Sequence, residues 1–113
     1  MKVAVAAQRE ADVRYVTEHF GHCESFIFYQ VENGETKEVE EVENPGHQPG
    51  FLPEFLGEKG IDLVIAGGMG ARAIELFNAK GIKVIIGAAG EVSKVISDYA
   101  GGCLETSGST CSH

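Results

Sequence analysis

Unbroken apolar runs, rather than strict alternation, mark most of the strands in this chain. Val3-Ala4-Val5-Ala6-Ala7 follows Lys2 without a polar break, the pattern of a strand buried on both faces. Asp62-Leu63-Val64-Ile65-Ala66 repeats it, and Ile82-Lys83-Val84-Ile85-Ile86 does so apart from Lys83. Ser25 to Val31 is aromatic and β-branched, a strong strand signal. Asn33-Gly34 then predicts a two-residue hairpin turn, with Glu35 to Val42 returning as a strand. Its glutamates suit an exposed sheet edge, where charge discourages pairing with other chains.

Helical spacing accounts for the remaining apolar positions. Phe51, Leu52, Phe55 and Leu56 share one helical face, with Gly57 or Gly60 as the stop. Ala71 to Ala79 is a helix with Ile74 and Phe77 inward, ended by Gly81. Glu91 to Ala100 places Val92, Val95, Ile96 and Tyr99 on one face. Residues 8–19 are ambiguous: Val13 and Val16 fit one helical turn, and the stretch reads equally as an ordered loop. Strand–helix–strand order implies right-handed parallel crossovers, and the hairpin adds an antiparallel neighbour. The expected fold is α/β: a mixed five-stranded sheet with one antiparallel strand and helices on both faces.

At 113 residues, with 43% hydrophobic and 23% charged, the composition is that of one globular domain. We place that domain at 1–100. Residues 101–113 are small and polar and read as a mobile tail. No apolar run approaches the roughly 18 residues of a membrane helix, and the N-terminus lacks the pattern of a signal peptide. A cytoplasmic location is expected, with no membrane partner. Three cysteines, an odd number, make a poor disulfide framework. A net charge of −8 argues against nucleic acid, whose affinity comes from Lys and Arg on phosphates.

Four places carry possible chemistry. Gly67-Gly68-Met69-Gly70 follows a buried strand and opens a helix, the position at which open α/β sheets bind ligands. Gly68, Gly70 and Ala73 fit the dinucleotide spacing, yet the next strand ends Val84-Ile85-Ile86-Gly87 without the acid that fingerprint requires. A tight strand-to-helix turn explains the glycines equally well. His22-Cys23, with His19 nearby, offers borderline and soft metal ligands; a small buried cysteine beside a capping histidine is the simpler reading. His47 stands alone in the loop 44–50, which holds two prolines and two glycines. Cys103, Cys111 and His113 lie on the tail, as a weak metal clip or as spectators. There is no Gly-x-Ser-x-Gly elbow and no phosphate-binding Walker loop.

His19-Phe20-Gly21-His22-Cys23 leading into Phe26-Ile27-Phe28-Tyr29-Gln30-Val31 resembles the opening of the dinitrogenase iron–molybdenum cofactor biosynthesis family. These are the small domains related to NifX, NifY and the C-terminal part of NifB. Asn44, Asp62 to Gly70, Arg72-Ala73 and Gly81-Ile82-Lys83-Val84 match later blocks in the family's order. The resemblance implies a ribonuclease H-like three-layer fold. It also implies binding of iron–molybdenum cofactor or an iron–sulfur cluster precursor, without nuclease activity. The cofactor-binding residues it suggests are His22, Cys23, His47, Gly67, Gly68, Met69, Gly70 and Arg72, with His22 and Cys23 on metal. The expected role is a non-enzymatic carrier or scaffold that takes a cluster from a donor protein or passes it to an acceptor. Two rivals stand beside it. One is a regulatory or interaction domain working through Glu38, Glu40 and Glu41; the other is an enzyme using Cys23 as nucleophile with His22 or His19 as base.

Overall fold

The computed structural model describes residues 1–46 and 51–102. Among the described residues, six strands and three α-helices follow in the order β1 (Lys2–Glu10), β2 (Val13–Val16), β3 (Ser25–Glu32), β4 (Glu35–Glu43), α1 (Phe51–Glu58), β5 (Leu63–Ile65), α2 (Ala71–Ala79), β6 (Lys83–Ile85) and α3 (Val92–Ala100). The sheet runs β4-β3-β1-β5-β6, with β2 attached to β1. β1, β5 and β6 are parallel, and β3 is antiparallel to both β1 and β4.

The continuous apolar strands are buried on both faces, and successive residues feed two cores. Ala4, Ala6, Phe26, Phe28, Val64 and Val84 point to one side, under Leu52 and Leu56 of α1 and Phe77 of α2. Val3, Val5, Ile27, Tyr29, Leu63 and Ile65 point to the other, under Val92, Val95 and Ile96 of α3. The result is a three-layer α/β arrangement, as the element order predicted.

The sheet has six strands, not five, and two of them are antiparallel to β1. The added strand lies in residues 8–19, where the sequence suggests helix or loop. β1 continues to Glu10, turns through Ala11-Asp12 and returns as β2, pairing Glu10 with Val13 and Ala7 with Val16. Ala11 holds a positive φ of 54°, a conformation normally given to Gly or Asn. The usual turn signal is therefore missing. Remote contacts hold β2: Val16 N–H donates to the Gly90 carbonyl (2.9 Å), and Tyr15 bridges to Glu91. Ala7 pairs with Ser25 on one side and Val16 on the other. β2 therefore occupies the β5 side of β1, past the end of β5 at Ile65.

The hairpin turn is as expected, with Asn33 and Gly34 at φ 53° and 80°. The β3–β4 register shifts between Phe28 and Tyr29, leaving Val39 as an exposed bulge on the edge strand. Two of the edge glutamates are paired. Arg14 reaches Glu38 at 2.7 Å and Glu41 at 3.2 Å, and Arg9 grips Glu41 at 2.8 Å. The hydrogen bond from Arg14 holds the Glu38 carboxyl below its ordinary value. Burial pushes Glu41 up, but hydrogen bonds from Arg9 and Ser25 outweigh it and leave that carboxyl low as well.

A lowered folded-state pKa stabilises the protein above the unfolded value, near 4.3 for Glu, and that contribution disappears as pH falls through the folded value. We expect the melting temperature to fall as pH drops from about 5 to about 3. Arg14→Ala should flatten that slope. At these exposed pairs the contribution is about 0.2–1 kcal/mol after solvent screening, and calorimetry across the pH range measures it. An unchanged slope in Arg14→Ala would show that other carboxyls dominate.

Candidate functional site

The site begins where β5 ends. Chain leaving β2 crosses directly over Gly67 and Gly68. Gly67 N–H donates to the Thr17 carbonyl (2.8 Å), and Phe20 N–H donates to the Gly68 carbonyl (3.0 Å). A Cβ on Gly67 would lie 2.8 Å from the Thr17 oxygen, and one on Gly68 only 2.5 Å from the Glu18 oxygen. Both glycines exist for this backbone crossing. Gly70 differs: it precedes the first turn of α2, and a Cβ there would meet nothing within 4 Å.

The crossing segment then folds into a single 3-10 turn, Phe20–His22. Phe20 is its anchor, buried with its ring 5.6 Å from Phe26 and 5.4 Å, edge-on, from Phe77. His22 N–H closes the turn onto the His19 carbonyl (2.9 Å). The turn thus stands as one wall of a cleft of about 560 Å³. Leu52 and Pro53 of α1 form a second wall; Met69, Gly70, Arg72, Ala73 and Leu76, at and within the start of α2, form a third.

The cleft gathers His22, Gly68, Met69, Gly70 and Arg72 from the expected residues. His19, named only as a neighbour in the sequence, lines it too, as does Glu18. The apolar wall of Leu52, Pro53 and Leu76 was not read as part of a site, because at the sequence level these residues look like ordinary helix-face positions. Gly67 is not part of the lining. Nor is Cys23, which lies 4% exposed in the core beside Phe20, Phe26 and Phe28. Burial pushes its thiol up to about 12, only partly offset by hydrogen bonds such as that from Asn44. A thiolate is the form that attacks or ligates, so this position suits a small core residue. His47, Cys103, Cys111 and His113 lie outside the described residues. Among the described residues no three His, Cys, Asp or Glu side chains gather to hold a metal ion.

The N–H groups at the start of α2 precede the first intrahelical bond, in which Ile74 N–H reaches the Gly70 carbonyl (3.1 Å). They and Arg72 favour negative charge, the imidazoles offer borderline metal ligands, and Leu52, Pro53 and Leu76 give the cleft apolar walls.

Residues 1–102 match the family model described as dinitrogenase iron-molybdenum cofactor. The chain belongs to this family. Among solved structures of similar fold, the crystal structure of PH0822 superposes with a TM-score of 0.88 at 39% identity, covering 96% of this chain and 97% of that one. The solution structure of a candidate NifB protein from Thermotoga gives 0.70 at 31% identity over 93% and 91%. The apo form of the orange protein from Desulfovibrio gigas shares the fold, with a TM-score of 0.74 at 23% identity over 96% and 93%. An uncharacterized protein of Methanocaldococcus jannaschii is 29% identical over 110 residues, covering 93% of this chain and 90% of its own. The family match spans every element that builds the cleft, from the β2 crossing to α2.

Proposed function

We propose that this protein is a carrier or scaffold that transiently binds an anionic metal–sulfur cluster, iron–molybdenum cofactor or an iron–sulfur precursor, in the cleft between the Phe20–His22 turn and the start of α2. One observation carries the reading. In a chain of the iron–molybdenum cofactor family, a single cleft joins His19 and His22 to the positive end of a helix bearing Arg72. The binding set is then His22, His19, Met69, Gly70 and Arg72, with Gly67 and Gly68 holding the wall and Cys23 packing behind it. His22 would supply a labile bond to metal. Charge from Arg72 and the helix start would carry much of the rest. Few ligands suit a cargo that must leave again, for an acceptor protein.

The same reading treats 1–100 as one cofactor-binding unit of ribonuclease H-like type, a view supported by the strand order with β3 antiparallel. We take it to act in the cytoplasm, without catalysis and without nucleic acid, in keeping with the net charge of −8. Among the described residues no helix is long and apolar enough to cross a membrane. The interaction-domain reading has less support, because Glu38 and Glu41 already pair with Arg14 and Arg9. The nucleophile reading also has less support, because Cys23 is buried in the core and does not line the cleft.

Anaerobic titration with isolated iron–molybdenum cofactor tests the proposal. Wild type should bind close to one cluster per chain, and Arg72→Gln should weaken affinity by roughly tenfold, the effect of one charge-assisted contact. No binding by wild type would refute the carrier reading.

A further inference from the structure

The side chain of Asn44 is not part of the cleft lining, yet it bonds to the backbone of the histidine turn and of the residue that follows it. Its Nδ2 donates to the Cys23 carbonyl (2.9 Å) and to the Gly21 carbonyl (3.4 Å), with the Cys23 sulfur at 3.7 Å. Its Oδ1 accepts from Gly46 N–H (3.0 Å), and its own backbone N–H donates to the Glu24 carbonyl (3.1 Å). A turn as short as Phe20–His22 ends with carbonyls that no following helical turn can satisfy. One side-chain amide supplies that need.

We propose that Asn44 is a positioning residue that fixes His22 at the mouth of the cleft by tying the 21–23 backbone to the end of β4. The proposal rests on the cluster-binding reading above. The residue type follows from the contacts. The side chain must donate toward Gly21 and Cys23 while accepting from Gly46, and only an amide does both at this length. An aspartate of the same shape would keep the acceptor for Gly46 but turn a carboxylate oxygen toward two carbonyls. β4 is itself registered on β3, with Ser25 opposite Glu43. Asn44 therefore ties the carbonyl end of the histidine turn to the sheet edge, as Phe20 ties its start to the core, although Asn44 would never touch the cargo.

The test uses the full chain, as Asn44→Asp and Asn44→Ala. In the apo protein, hydrogen exchange should accelerate about tenfold or more at Gly21, His22 and Cys23 and stay unchanged in β1 and β5. The His22 ring resonances should shift with it. With isolated iron–molybdenum cofactor as the probe, Asn44→Asp should lose about as much affinity as His22→Ala, and the double variant should lose little more than either. Unchanged exchange at 21–23 overturns the proposal, as does exchange that rises equally throughout the sheet. Fully additive losses in the double variant also overturn it, since Asn44 would not then act through His22. Should wild type fail to bind the cofactor, the carrier reading falls, while the apo exchange and ring resonances still decide whether Asn44 holds the turn.

Discussion

Gly68→Ala is expected to destabilise the protein by about 2–3 kcal/mol, in the upper range of overpacking costs. The added methyl would stand 2.5 Å from the Glu18 carbonyl oxygen. That oxygen belongs to backbone held on both sides, by the Gly67–Thr17 and Phe20–Gly68 hydrogen bonds. It cannot swing away as a long side chain would, so the crossing must separate or strain. Gly70→Ala is the matched control. It has open space and a φ of −67°, so its stability should change by less than about 0.5 kcal/mol. Denaturant unfolding of the two variants measures the contrast. Equal costs would mean that the glycine run is not serving the crossing.

Phe20→Ala is expected to cost about 3–5 kcal/mol, the range for removing a buried phenylalanine. Phe20 packs on Phe26 and Phe77, which belong to β3 and α2, so the loss should appear in unfolding and in the cleft together. Phe20→Leu keeps most of the volume and should cost about half as much. A Phe20→Ala cost below about 1 kcal/mol would show that the histidine turn is held by its hydrogen bonds and not by the packing of Phe20.

Much of the fold can be read from the chain because its strands are buried on both faces. A run such as Val3 to Ala7 leaves little choice, and Asn33-Gly34 sets its hairpin locally. β2 resists such a reading, since Ala11 turns at positive φ and its partners include Gly90 and Glu91, more than seventy residues away. The glycine loop was legible as a special place but not as two kinds of place. Gly67 and Gly68 answer to Thr17 and Glu18, whereas Gly70 opens on the cleft, and only the crossing of β2 separates these roles. His22 and Cys23 are adjacent, yet the turn that exposes one histidine buries the next residue in the core. Leu52, Pro53 and Leu76 carry no chemical signature and become site residues only when α1 and α2 meet.

In the proposed carrier, cargo binds to the cleft face of the histidine turn and not to its buried thiol. Anaerobic equilibrium dialysis against isolated iron–molybdenum cofactor, with Cys23→Ala set beside a His22→Ala/Arg72→Gln double variant, tests it most directly. Cys23→Ala should retain wild-type affinity within about twofold, while the double variant should lose roughly a hundredfold, two contacts at about tenfold each. Loss of binding in Cys23→Ala, with the double variant unaffected, would contradict it.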